Sequence, residues 1–209
     1  MSQSKPAAKK GGEVCQRGRP REFDTDAVLA NASQVFWDHG YHATSIDDLC
    51  KATGLLRGSL YGVFGDKHGI MLAAFDHYAE GAVARLAQRL SAPVEPEQAL
   101  RDALLHYARV ACALSGRRSC FITNTTLEMQ PDDEVLRARV AAIQRRMATL
   151  LAAAVIRGQA SGAFDSTLDE KAVGDFLLCV MQGLRVMGRV AQEEEALTGI
   201  VDVAMRALV

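Results

Sequence analysis

The 209-residue chain offers little that would place it outside a cell or in a membrane. Its five cysteines (Cys15, Cys50, Cys112, Cys120, Cys179) are odd in number, scattered and free of CxxC spacing. That pattern excludes a disulfide framework, argues against structural zinc, and leads us to expect reduced thiols in a cytoplasm. No apolar run approaches the ~20 residues needed to cross a bilayer, and no hydrophobic export core follows the basic first residues. Aromatic residues make up 6% of the chain, and no strand alternation or hairpin signal is present. Neither sign of charge prevails: 24 Lys+Arg against 25 Asp+Glu leave a net charge of -1, so the bulk value names no partner.

What is present is a chain 49% hydrophobic and 23% charged, the balance of a folded, soluble protein of one domain or two small ones. Charge is unevenly placed. Residues 1–21 carry Lys5, Lys9, Lys10, Arg17, Arg19 and Arg21 against Glu13 alone, whereas residues 71–209 carry 15 cations and 17 carboxylates. A polyanion partner is therefore sought at the N-terminus.

Helical periodicity dominates from Asp24 onward. The first helix places Val28, Ala32, Val35 and Phe36 on one face and closes at Gly40. A second runs from Thr44-Ser45 to Gly54 with Ile46, Leu49 and Cys50 inward, and a third spans Arg57 to Phe64 before Gly65. Longer helices are expected over 67–90, 97–114, about 120–129, 131–156, 168–190 and 195–208, with a loop over Gly158–Asp165. The fold expected is all-α: an N-terminal three-helix domain with a helix–turn–helix, followed by a C-terminal helical bundle. The boundaries are a basic arm (1–22), a DNA-binding domain (23–66), and a ligand-binding and dimerisation domain (67–209).

The paired short helices carry the sharpest signal. A turn built on Gly54 and a second helix with Arg57, Ser59 and Tyr61 outward is the geometry that enters a DNA major groove. Here the sequence resembles the TetR family of transcriptional regulators. The resemblance rests on Phe36-Trp37-Asp38-His39-Gly40-Tyr41, Thr44-Ser45-Ile46, Gly54, Gly58-Ser59-Leu60-Tyr61, Phe64-Gly65 and Lys67. It implies a homodimer on palindromic double-stranded operator DNA; from the residues themselves, no cofactor or metal is expected. It also implies phosphate contacts from Thr44, Tyr61 and Lys67, and groove contacts around Ser45, Arg57, Gly58 and Ser59. Leu56 stands where the family usually has a capping Ser or Thr, so the recognition helix lacks a side-chain cap worth about 1 kcal/mol. We assign Leu56 to thymine methyl groups. Arg17-Gly18-Arg19-Pro20-Arg21 reads either as an arm for an A·T minor groove or as a solvated basic tail.

In the bundle, Leu177, Met181, Leu184 and Met187 are expected at a dimer interface, with an intrachain core helix as the alternative. Tyr78, Tyr107, Phe121, Asn124 and Phe176 are expected to line a ligand pocket, although the same residues would suit an ordinary core. Cys120, after Arg117-Arg118 and at a helix start, has the surroundings of a reactive thiolate, against the commoner buried, inert thiol. The stretch Gly116–Glu128 resembles the NemR-like group, some of whose members sense electrophiles through a cysteine there. The function expected is a repressor released by a small-molecule or electrophile inducer through the 67–90 helix. An architectural DNA-binding protein without a ligand and an activator of the same fold are the alternatives. No nucleophile–base constellation suggests an enzyme.

Overall fold

The computed structural model describes residues 23–113, 118–190 and 193–209. The arm with Arg17, Arg19 and Arg21, and also Gly116 and Arg117, lie outside the described residues. Nine α-helices and no strands occur among those described: α1 (Thr25–Ala43), α2 (Ile46–Thr53), α3 (Arg57–Phe64), α4 (Lys67–Leu90), α5 (Pro96–Cys112), α6 (Phe121–Glu128), α7 (Glu134–Ala160), α8 (Glu170–Met187) and α9 (Glu194–Arg206). None is long and apolar enough to cross a membrane.

Helix termini follow local chemistry closely. Asp24 accepts from the Asp26 and Ala27 N–H groups and starts α1. Ser45 and Asp48 form a reciprocal capping box on α2, which stops where Gly54 turns left-handed at φ 72°. Asp66 caps α4 through the Gly69 N–H at 2.8 Å. As its side chain requires, Leu56 supplies no cap to α3.

Two boundaries differ from expectation. The first helix breaks at Gly40 (φ 78°, ψ 168°), as a glycine end predicts, but a further turn continues to Ala43. The α7 helix runs through Gly158 to Ala160, and the Phe164 ring occupies the space a side chain at 158 would need. Glycine there serves close packing and does not open a loop.

The α4 helix is the spine. Its buried face (Ile70, Ala74, Phe75, Ala79, Leu86) meets α1 on one side and α5 and α7 on the other, in one apolar core. Each fully buried Leu, Ile or Phe contributes about 1.5–3 kcal/mol. Ser33 joins α1 to α4, its hydroxyl lying between the Leu29 and Ala74 carbonyls at 2.7 and 2.9 Å.

The α8 helix corrects one expectation. Leu177, Met181 and Leu184 are 0%, 2% and 1% exposed, sealed in the protomer's own core. Gly174 lies against Ala148 and Ala152 of α7, and Gly188 against Ala111 of α5, so their close approaches are also intrachain. Of the four residues expected between protomers, Met187 alone is exposed, as are Phe176, Val186 and Val190.

Candidate nucleic-acid interface and effector cavity

Leu49 and Leu60 are fully buried, with α2 packed on α1 and α3 and α3 packed on α4. The opposite face of α3 is open. Leu56 is 79% exposed, and Arg57, Gly58, Ser59 and Tyr61 are exposed beside it. Among the described residues, nothing approaches the space a side chain at Gly58 would occupy. The guanidinium of Arg57 donates to Asp47 at 2.9 Å, a pairing across the α2–α3 turn that the sequence does not reveal. Asp47 therefore competes with any anion for Arg57. Ser45 is exposed, but its hydroxyl is committed to Asp48 at 2.6 Å. That hydrogen bond holds the Asp48 carboxyl below its usual range.

Two expected phosphate contacts have intrachain partners here. Thr44 is 1% exposed, and its hydroxyl donates to the Gly40 carbonyl at 2.6 Å. Lys67 donates to the Tyr41 and Thr44 carbonyls, both at 2.9 Å, while its ammonium sits 4.4 Å above the Tyr41 ring. Breaking α1 at Gly40 leaves these carbonyls unpaired, and Thr44 and Lys67 satisfy them. In this conformation the two side chains hold the α1–α2 corner together, Thr44 buried and Lys67 half-buried.

A second set of contacts clasps this head to the bundle. The Arg118 side chain bonds Asp38 at 2.8 Å and Gln34 at 2.7 Å, and the Trp37 indole donates to the Arg118 carbonyl at 3.1 Å. Asn124 donates to the same carbonyl at 2.8 Å, so it braces the clasp. Phe121 is buried against Trp37, Phe75 and Tyr78 on the head side of α6. At the other end of α6, Glu128 accepts from the His42 N–H at 3.3 Å, and Gln130 pairs with the His42 ring at 2.9 Å. Any Cβ at position 40 would meet the Glu128 carboxylate at 2.6 Å, so Gly40 serves both the backbone turn and this approach. His68 of α4 pairs with Asp133 at 2.8 Å, next to the same seam.

Behind α6 lies a narrow cleft open to solvent: about 300 Å3 of it is empty when the open mouth is counted, but a water molecule's centre can move through only about 20 Å3. Cys120, Tyr107, Thr123, Gln182 and Arg185 furnish its polar groups, and Met147, Leu178 and Met181 are among its apolar ones. The Tyr78 hydroxyl is 3.9 Å from the Cys120 sulfur. Burial, and after it the neighbouring Cys120, pushes the Tyr78 phenol far above its ordinary range. Thr123 donates to Gln182 at 3.1 Å, and the Arg185 guanidinium lies 5.0 Å from the centre of the Tyr107 ring.

Of the expected pocket residues, Cys120 and Tyr107 line this cavity and Tyr78 adjoins it, whereas Phe121 and Asn124 belong to the clasp. Phe176 is a correction: it is 42% exposed on the outer face of α8, away from the cavity. The cations expected to activate Cys120 are also corrected in part, because the Arg118 guanidinium is bound to Asp38 and Gln34. Arg185, Thr123 and Gln182 are additions that sequence reasoning missed. The available signal was the single cation in the apolar run Phe176–Met187, on a helix with a buried face.

Comparison with known proteins gives concordant results. Residues 28–74 match the family described as bacterial regulatory proteins, tetR family, and residues 96–204 match the tetracyclin repressor-like C-terminal domain. The HTH-type transcriptional repressor ComR of Escherichia coli (strain K12) is 32% identical, over 91% of each chain. The uncharacterized HTH-type transcriptional regulator YezE of Bacillus subtilis (strain 168) is 29% identical, over 91% of this chain and 99% of its own. Among solved structures, a cysteine mutant of the TetR family regulator CifR, complexed with 26-bp double-strand operator DNA, superposes with a TM-score of 0.79. It is 27% identical, covering 92% of this chain and all of that one. Reduced E. coli NemR shares the fold (TM-score 0.76, 19% identity, 89% of this chain and 98% of that one).

Proposed function

The chain belongs to the TetR family of DNA-binding transcriptional regulators, and from that premise we propose that it is a dimeric repressor released from a palindromic operator by a ligand or thiol modification. The observation that carries the DNA reading is the open outer face of α3, where Leu56, Arg57, Ser59 and Tyr61 are exposed on a helix fixed from behind by Leu49 and Leu60. Arginine and hydroxyl groups on such a face pair with phosphates and base edges, and an exposed leucine meets thymine methyl groups. Kinship with the repressor ComR and with operator-bound CifR supports the same assignment. The reading unit is 23–66 and the sensing and pairing unit 67–209. Residues 1–22 add counterion-releasing charge, and a cytoplasmic setting follows from the target.

The clasp supports a specific route for induction. A ligand in the cavity, or an adduct on Cys120, displaces the N-terminal end of α6. Arg118, Asn124 and Trp37 transmit that displacement to α1, together with movement of α4. The half-site separation then departs from the roughly 34–36 Å of one DNA turn. A ligand acts in this way only through tighter binding to the released state.

Selection of bound sequences from a random double-stranded pool tests the assignment. The expected result is an inverted-repeat consensus that weakens and loses base preference in Arg57→Ala. The log–log salt slope should also fall by about 0.9 for each phosphate that the variant no longer neutralises. Recovery of no consensus at low ionic strength would overturn the reading.

A further inference from the structure

Arg185 presents a problem of charge. Its Nε is buried and has no hydrogen-bond partner among the described residues, and no carboxylate lies within ion-pair distance of it there. None of the residues lining the cavity is acidic. Arg185 as a whole is half-buried, but a buried N–H donor left without a partner is costly, and a hydrogen-bonded anion is one remedy. The cost is sustained here by construction: the Tyr107 ring lies under the guanidinium, and the Ser119 hydroxyl donates to the Arg185 carbonyl at 3.2 Å. The neighbourhood is electropositive as well. Burial and then Arg89, Arg185, Arg109 and Arg85 hold the His106 imidazole below its ordinary pKa.

We propose that this cavity holds a small monocarboxylate with an apolar body, its carboxylate paired with Arg185. The class follows from the lining. One guanidinium presenting a free Nε edge matches one carboxylate side-on. With the Thr123 hydroxyl donated to Gln182, the Gln182 amide N–H groups and the Tyr107 hydroxyl are the other groups able to donate at the polar end. Met147, Leu178 and Met181 form an apolar wall for the remainder of the molecule, and Cys120 lies beside it. Binding is reversible and requires no covalent step. The proposal deepens the effector reading above and rests on it for the consequence at DNA, although occupancy itself is independent of DNA.

Calorimetry on the full-length protein without DNA, using octanoate and its neutral isostere octanamide as probes, tests it. Octanoate should bind, and octanamide should bind at least tenfold more weakly. Arg185→Gln should lose at least tenfold in octanoate affinity with little change towards the amide, while Arg145→Gln, an exposed cation elsewhere, should match the parent. If Arg185→Gln fails to fold by circular dichroism, the acid–amide ratio on the parent protein still decides. Absence of octanoate binding, equal affinity for acid and amide, or unchanged octanoate affinity in a folded Arg185→Gln would overturn the proposal. Titrating octanoate into a protein–operator complex separates the two readings. Binding with no operator release refutes the effector role and leaves the site intact.

Discussion

At the residue scale, His106 is a reporter of the electropositive cavity rim. Burial first, and the flanking arginines after it, disfavour its protonated form in the folded state, so the folded pKa lies below that of the unfolded chain. Above an unfolded pKa of about 6.5 both states carry the neutral ring and no penalty exists. As the pH falls below that value the unfolded chain takes up a proton that the folded one resists, and stability declines until the folded pKa is passed. Much of the ring is near solvent, so the loss should stay under about 1 kcal/mol. Urea unfolding at pH 7.5, 6.5 and 5.5 should show a steeper decline in the parent than in His106→Gln, and parallel curves would refute the shift. The residue scale is also where sequence and structure diverge most. The helix starts at Asp24 and Ser45 were legible because each acts on N–H groups within three residues. Thr44 and Lys67 were not, because their partners are carbonyls exposed by the break at Gly40, one of them 26 residues from the lysine.

At the scale of elements, α6 does more than its eight residues suggest. Its extent was readable from the apolar piece between Cys120 and Met129, but its partners were not. Gln34 lies 84 positions from Arg118, and His42 lies 86 from Glu128. Periodicity reports which face is apolar; it carries no information on which distant helix a polar end will meet. The hydrogen bonds at its two ends make α6 the tie between cavity and reading head, alongside α4, whose side chains pair with α7 through Asp76–Arg139 and Glu80–Arg146. An Arg118→Ala substitution removes two bonds of the clasp at a site where exposed ion pairs add at most about 1 kcal/mol, so the global melt should hardly move. Amide hydrogen exchange should instead quicken severalfold over residues 34–43 and stay unchanged in α8. Unaltered exchange over 34–43 would show that α6 does not restrain the head.

At the scale of the whole molecule, the open question in the sequence was which side of α8 meets another copy. The helix is apolar on two faces: Leu177, Leu178, Met181 and Leu184 form one, and Phe176, Val186 and Met187 lie on the other with the small residues Ala172, Cys179 and Gly183. A helix of this kind is buried on both sides, and spacing alone does not say which neighbour belongs to its own chain. The structure assigns the first face to the protomer core, which leaves the second, with the exposed Val190, Gly199 and Val203 nearby, as an uncovered apolar surface. Among the described residues, no side chain reaches the space in front of Gly183 or Gly199, and such openings admit a helix from a second copy. The two faces predict opposite phenotypes. Leu177→Ala should cost about 2–5 kcal/mol of stability, the penalty of a buried cavity, yet leave the folded protein dimeric. Phe176→Arg combined with Val186→Glu, both on exposed positions, should leave the protomer folded but monomeric by analytical ultracentrifugation at micromolar concentration. Its operator binding should then fall steeply, because a monomer holds only one half-site and loses the gain from linked engagement. If the double variant remained a dimer, protomers would have to pair through another surface, and the spacing of the two α3 helices would have to be set from there.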